Sequence, residues 1–104
     1  MTIDIDPREI KQNIDSVIVA VFGEGVYAEI AATIINILRE RGLTSYDTQE
    51  IIKTHGFSQS SFYKVLHKMQ KLGMIVKFRS KYYLSKDFGN AMLRIAKAWR
   101  ALFD

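Results

Sequence analysis

Lys64, His67, Lys68 and Lys71 recur at the spacing of a helix face, and Lys77, Arg79 and Lys81 follow at the spacing of a strand. Cations held at both periods are suited to gripping phosphate. Just ahead of them stands Ser58-Gln59-Ser60-Ser61, a run of short polar side chains at the expected start of a helix. Such side chains reach phosphates or base edges, and the free backbone N–H groups of a helix start are themselves an anion site.

The charge of the chain is divided in the same way. Residues 1–52 hold four Lys/Arg against nine Asp/Glu, a balance of −5, and residues 53–104 hold eleven against two, a balance of +9, which sum to the net +4. A basic half on a small protein is the footprint of a polyanion binder, and a solvated basic surface is the competing reading. Other chemistries find little material. The sequence has no cysteine, which excludes disulfides and thiolate zinc sites and fits a reducing compartment. His55 and His67 have no carboxylate at ligand spacing, so no metal and no cofactor is expected. There is no phosphate-cradling glycine loop and no recognisable Ser/His/Asp context, so an enzyme is not expected. A nuclease would need carboxylates for its metal where the basic half has almost none.

These side chains need elements to carry them. With 104 residues, 48% of them hydrophobic, the chain suits one domain spanning 1–104. Asp6-Pro7 is a helix start, and Ile10, Ile14, Val17 and Val21 form a heptad-like stripe widened by Ile18 and Phe22, up to the Gly23-Glu24-Gly25 break. A second helix is expected from Val26 to Arg41, with Ile30, Ile34, Ile37 and Leu38 inward and Gly42 as a left-handed cap. A short third helix, capped by Asp47 or Thr48, ends at His55-Gly56. Ser58 then caps a fourth, from Gln59 to Leu72, with Phe62, Val65, Leu66, Met69 and Leu72 on one side. Ser60, Lys64, His67 and Lys71 centre on the other side, flanked by Tyr63 and Lys68, and no carboxylate lies anywhere on this helix. Met74 to Leu84 reads as two short strands around a tight turn at Arg79 to Lys81, aromatics inward and cations at the tip. Ser85 caps a last helix over 86–103 with Phe88, Met92, Ile95, Trp99 and Leu102 in an a/d pattern.

The fold class expected is thus mainly α with a small β-hairpin. The segment from Thr48 to Leu84 has helix-turn-helix spacing, the turn being His55-Gly56-Phe57-Ser58. The run from Asp47 to Ile75, with its Ser-rich helix start and its Leu72-Gly73-Met74-Ile75 exit, resembles the winged-helix core of MarR/PadR/ArsR-type prokaryotic regulators. Tyr83-Leu84-Ser85 ahead of Asp87-Phe88-Gly89 resembles the return strand of the wing and its exit. The resemblance covers about half the chain. It implies a winged helix-turn-helix at 47–72 with a wing at 74–84, between additional N- and C-terminal helices. It also implies that Gln59, Ser60, Ser61, Tyr63 and Lys64 meet bases, and that Arg79 to Lys81 meet the backbone or minor groove.

The expectation is duplex DNA binding by a dimeric transcriptional regulator, with Ser58, Gln59, Ser60, Ser61, Tyr63, Lys64, His67, Lys68, Lys71, Lys77, Arg79 and Lys81 at the DNA. Ile10, Ile14, Val17 and Val21 of the first helix and Met92, Ile95, Trp99 and Leu102 of the last are the expected homodimer interface, since a monomer would expose them as one large patch. The alternative is a protein–protein interaction module in a transcription or replication assembly. Nothing in the sequence supports a small-molecule effector, an acidic start lacks the flank of a signal peptide, and the most apolar span, Ile14 to Leu38, is interrupted by charges. A cytoplasmic protein without membrane association is expected.

Overall fold

A computed structural model describes the backbone over residues 7–104 and the side chains from residue 14 onward. Five helices and one two-stranded antiparallel hairpin follow in the order α1 (Pro7–Phe22), α2 (Val26–Leu38), α3 (Ser45–His55), α4 (Gln59–Lys71), β1 (Ile75–Phe78), β2 (Lys81–Leu84) and α5 (Asp87–Ala101). The molecule is mainly α with a small hairpin, as its periodicities predict. No helix among the described residues is long and apolar enough to cross a membrane.

The core lies where α2 crosses α4. Ile30, Ala31, Ile34 and Leu38 of α2 meet Phe62, Val65, Leu66 and Met69 of α4, and Ile51 of α3 and Met74, Ile75 and Tyr82 of the hairpin region close the cluster. From α1 the buried side chains are Ile18 and Phe22. The expected stripe is therefore turned: Val21 packs half-buried against the chain's own core, Ile14 is exposed, and Ile10 lies outside the described side chains. Leu72, expected inward on α4, is exposed, because the C-cap at Leu72 ends the helix and Gly73 turns the chain toward β1.

Local expectations divide according to how local their causes are. Gly56 caps α3 in the left-handed conformation (φ 68°) and Ser58 caps α4 by accepting the amide of Ser61 at 3.2 Å, both as expected. Helix α2 stops at Leu38, three residues short of the expected end, with Arg39 as its C-cap. The cap of α3 is Thr44 rather than Asp47 or Thr48. Its hydroxyl accepts the Asp47 amide at 3.1 Å while the Asp47 carboxylate accepts the Thr44 amide at 3.0 Å, a reciprocal capping box. Thr48 is instead buried one turn in, donating to the Ser45 carbonyl at 2.7 Å. Lys86 is the N-cap of α5, although the Ser85 hydroxyl does accept the Asp87 amide at 3.2 Å.

Gly42 does not adopt the left-handed conformation expected of it. Its constraint is space: a Cβ there would lie 2.7 Å from the Tyr83 ring and 3.3 Å from the Tyr82 carbonyl oxygen. The close approach lets Leu43, just after it, bond to the hairpin edge. The Leu43 amide donates to the Tyr82 carbonyl at 3.0 Å and the Tyr82 amide to the Leu43 carbonyl at 2.8 Å. This two-bond bridge ties the hairpin to the loop between α2 and α3.

Candidate nucleic-acid interface

Helix α4 carries most of the expected contacts, and its two faces separate as the wheel predicts. Phe62, Val65, Leu66 and Met69 are buried, whereas Gln59, Ser60, Lys64, His67 and Lys71 are exposed and Ser61 is half-buried at the first turn. Ser58 spends its hydroxyl on the cap, so its own reach to a ligand is through the helix start rather than as a free side chain. The exposed row begins at the helix N-terminus, where unpaired amides carry partial positive charge.

Two residues of the expected set are occupied inside the chain. The Lys68 ammonium donates to the Val21 carbonyl at 2.8 Å and lies 5.2 Å from the centre of the Phe22 ring, closing the C-terminal turn of α1. A cation at a helix C-terminus is favoured by the carbonyls left without partners there. The Tyr63 hydroxyl accepts from the Gln49 amide group at 3.0 Å and stands 3.4 Å from the Thr48 hydroxyl. Tyr63 therefore binds α3 to α4 and offers a phenyl edge more than a free hydroxyl. Its partner Gln49 is exposed beside the row of α4 and is the residue the sequence reading missed. The signal was weak: Gln49 faces Tyr63 only because the turn at 55–58 folds α3 back on α4.

The hairpin supplies the second group of cations. Its register pairs Ile75 with Leu84, Val76 with Tyr83, Lys77 with Tyr82 and Phe78 with Lys81. Directly paired residues share a face, so Ile75, Lys77, Tyr82 and Leu84 lie on one side and Val76, Phe78, Lys81 and Tyr83 on the other. The Lys77 ammonium lies 5.4 Å from the Tyr82 ring centre. Aromatics are not uniformly inward as expected: Tyr82 is buried, but Phe78 is 59% exposed with the Arg79 guanidinium 5.3 Å from its ring centre. Arg79 and Ser80 form the turn with φ of 50° and 65°. Two successive positive φ values are what a two-residue hairpin turn needs to match strand twist, and they are uncommon for residues other than Gly, Asn and Asp. Arg79 is thus held out at the tip by the backbone.

The electrostatics are one-signed. Residues 51–86 contain eight Lys/Arg and no Asp or Glu. A described ion pair lies outside this segment, where the Arg41 guanidinium meets the Asp47 carboxylate at 3.2 Å. The Thr44 amide holds the Asp47 carboxyl below its ordinary pKa against an opposing effect of burial, with the Thr44 hydroxyl and Arg41 adding to the lowering. Among the described residues no group of three His, Asp or Glu is placed to hold a metal ion.

The expected interface residues of α5 are not covered by the chain. Met92, Ile95, Trp99 and Leu102 are all exposed, as are Leu93 and Phe103, and Trp99 and Phe103 stack edge to face with centroids 6.2 Å apart. Only Phe88 and Ala91 of α5 are half-buried.

The chain belongs to an archaeal family, whose model matches residues 11–103. No curated protein and no solved structure matches it.

Proposed function

We propose that this protein is a winged helix-turn-helix, similar to MarR/PadR/ArsR-type regulators, that binds duplex DNA as a homodimer and acts in transcription regulation. The observation that carries the reading is the set of exposed cations on a segment free of carboxylates. The exposed row Gln59, Ser60, Lys64, His67 and Lys71 and the tip cations Arg79 and Lys81 belong to a segment of 36 residues without a carboxylate. A surface exposed only to solvent normally mixes both signs. In this reading α4 enters the major groove by its N-terminal end, where Gln59, Ser60 and Lys64 meet base edges. Lys71, Lys77, Arg79 and Lys81 meet the backbone, and the hairpin is the wing.

Binding of a random duplex across salt tests it. Each phosphate neutralised contributes about −0.9 to the log–log slope of affinity against salt, so a surface of this size predicts a slope of about −3 or steeper. A flat response sinks the reading. That outcome favours the other class, a winged-helix module that docks on protein, for which the bare Phe78 ring and its face-mates Val76 and Tyr83 are the supporting observation.

A further inference from the structure

The feature of this molecule with no internal explanation is α5. It spans 15 residues, about 22 Å, and its stripe of Phe88, Met92, Ile95, Trp99 and Leu102 faces solvent beyond its first turn. Written as heptads, Phe88, Ile95 and Leu102 are d positions and Met92 and Trp99 are a positions. Within α5 the positions flanking this seam are Gly89 and Ala96 on one side, with Phe103 following them past the helix end, and Ala91 and Ala98 on the other. Arg94, Lys97 and Arg100 point away from it. A seam bordered by small uncharged residues lets a second helix approach closely, and no charged pair at its border selects a foreign partner. At the foot of α5 an open apolar groove of about 450 Å³ is lined by Ile14, Ile18, Ile35, Met74, Leu84 and Phe88, among others.

We propose that α5 pairs antiparallel with α5 of a second copy, Met92 against the partner's Ile95 and Phe88 against the partner's Trp99. Antiparallel packing sets a positions against d positions, which leaves two registers that engage four stripe residues of each helix. One sets Met92 against the partner's Leu102 and leaves Phe88 and the groove bare. The other brings the partner's Leu102 and Phe103 over the groove and covers both ends of the stripe. In that register Gly89 also borders the partner's Ala96, and Ala91 the partner's Ala98. The surface is large enough: Trp99 and Phe103, 64% and 77% exposed, bare roughly 300 Å². With Ile14, Leu84, Met92, Ile95 and Leu102 the total approaches the ~800 Å² that each partner gives to an ordinary stable interface. The pairing deepens the dimer of the reading above but requires no DNA.

The chain has no cysteine and one tryptophan, which makes the test direct. Single variants Met92→Cys, Ile95→Cys and Trp99→Cys are mixed in pairs and mildly oxidised without DNA, with Arg94→Cys as an off-seam control. The mixture of Met92→Cys with Ile95→Cys is expected to give several-fold more covalent dimer than either alone. Preferential cross-linking of Ile95→Cys with Trp99→Cys overturns the register, and preferential self-cross-linking at each position overturns the antiparallel sense. In the unmodified protein the Trp99 emission should be blue-shifted at tens of micromolar and move to the red on dilution. A 12.0 kDa species with solvent-exposed emission at every concentration overturns the pairing. Because salt-dependent duplex binding is measured separately, its failure with the cross-link intact removes the DNA reading alone.

Discussion

Lys64 and Lys68 are neighbours on α4 and carry the same charge, yet their surroundings give them different work. Lys64 is exposed with no partner among the described residues, while the Lys68 ammonium holds the Val21 carbonyl and covers the Phe22 ring. Lys68→Met should therefore lower stability by about 0.5–1 kcal/mol, the value of a cation at a helix C-terminus, and leave duplex affinity within two-fold. Lys64→Met should do the reverse, weakening duplex binding several-fold with an unchanged urea midpoint. Urea titration and fluorescence anisotropy on the two variants check the pair, and equal effects on both quantities would contradict the division. From the sequence both lysines fall on or beside the polar face, and nothing in the spacing separates them. The distinction depends on the end of α1, 47 residues away in the chain, and so on tertiary packing.

At the scale of elements, helix types and turns were legible because their causes are local. Apolar spacing fixes the buried face of α4, Gly56 ends α3 by its left-handed φ, and Ser58 starts α4 by a bond three residues long. Thr44 is legible too, since Thr44-Ser45-Tyr46-Asp47 has the spacing of a capping box, in which Thr44 rather than Asp47 or Thr48 is the cap and Asp47 its reciprocal partner. Gly42 was not legible, because its reason is a tyrosine ring 41 residues later. The capping box has a pH signature. The folded pKa of Asp47 is lowered, so its contribution is whole above the ordinary carboxylate pKa of about 3.9 and is lost as pH falls through the depressed folded value. Asp47→Asn keeps an acceptor but removes the charge. The gap in urea midpoint between the natural protein and Asp47→Asn should be widest above pH 5 and shrink toward pH 2.5. A gap independent of pH would show that the carboxylate charge contributes nothing to α3.

At the scale of the whole molecule, the chain is longer than its core. The radius of gyration is 15.4 Å and the extents are 49 × 28 × 23 Å, where a compact chain of this length would have a radius of about 13 Å. The fully buried cluster runs from Ile18 to Tyr82, and α5 adds to it only the half-buried Phe88 at its foot, where the Phe88 amide donates to the Gly73 carbonyl at 3.0 Å. Fold class and the exposure of the α5 stripe could be read from periodicity. Which side of α1 turns inward could not, because Ile14 and Ile18 are equally apolar and only the position of α2 chooses between them.

An α5 that stands outside the core has a consequence for local unfolding. Regions with few buried apolar contacts open at a cost well below that of the whole fold, and their amide hydrogens exchange accordingly. The amides of α2 and α4 are locked beneath Ile34, Phe62 and Leu66 and should exchange only through global unfolding. Those from Leu93 to Ala101 have nothing among the described residues above them, so their protection is expected from association, which links it to protein concentration by mass action. Hydrogen–deuterium exchange at one and at one hundred micromolar is expected to slow the α5 amides several-fold at the higher concentration while those of α4 stay fixed. Uniform exchange across the chain, or an α5 indifferent to concentration, would mean that this helix is stabilised without a second molecule.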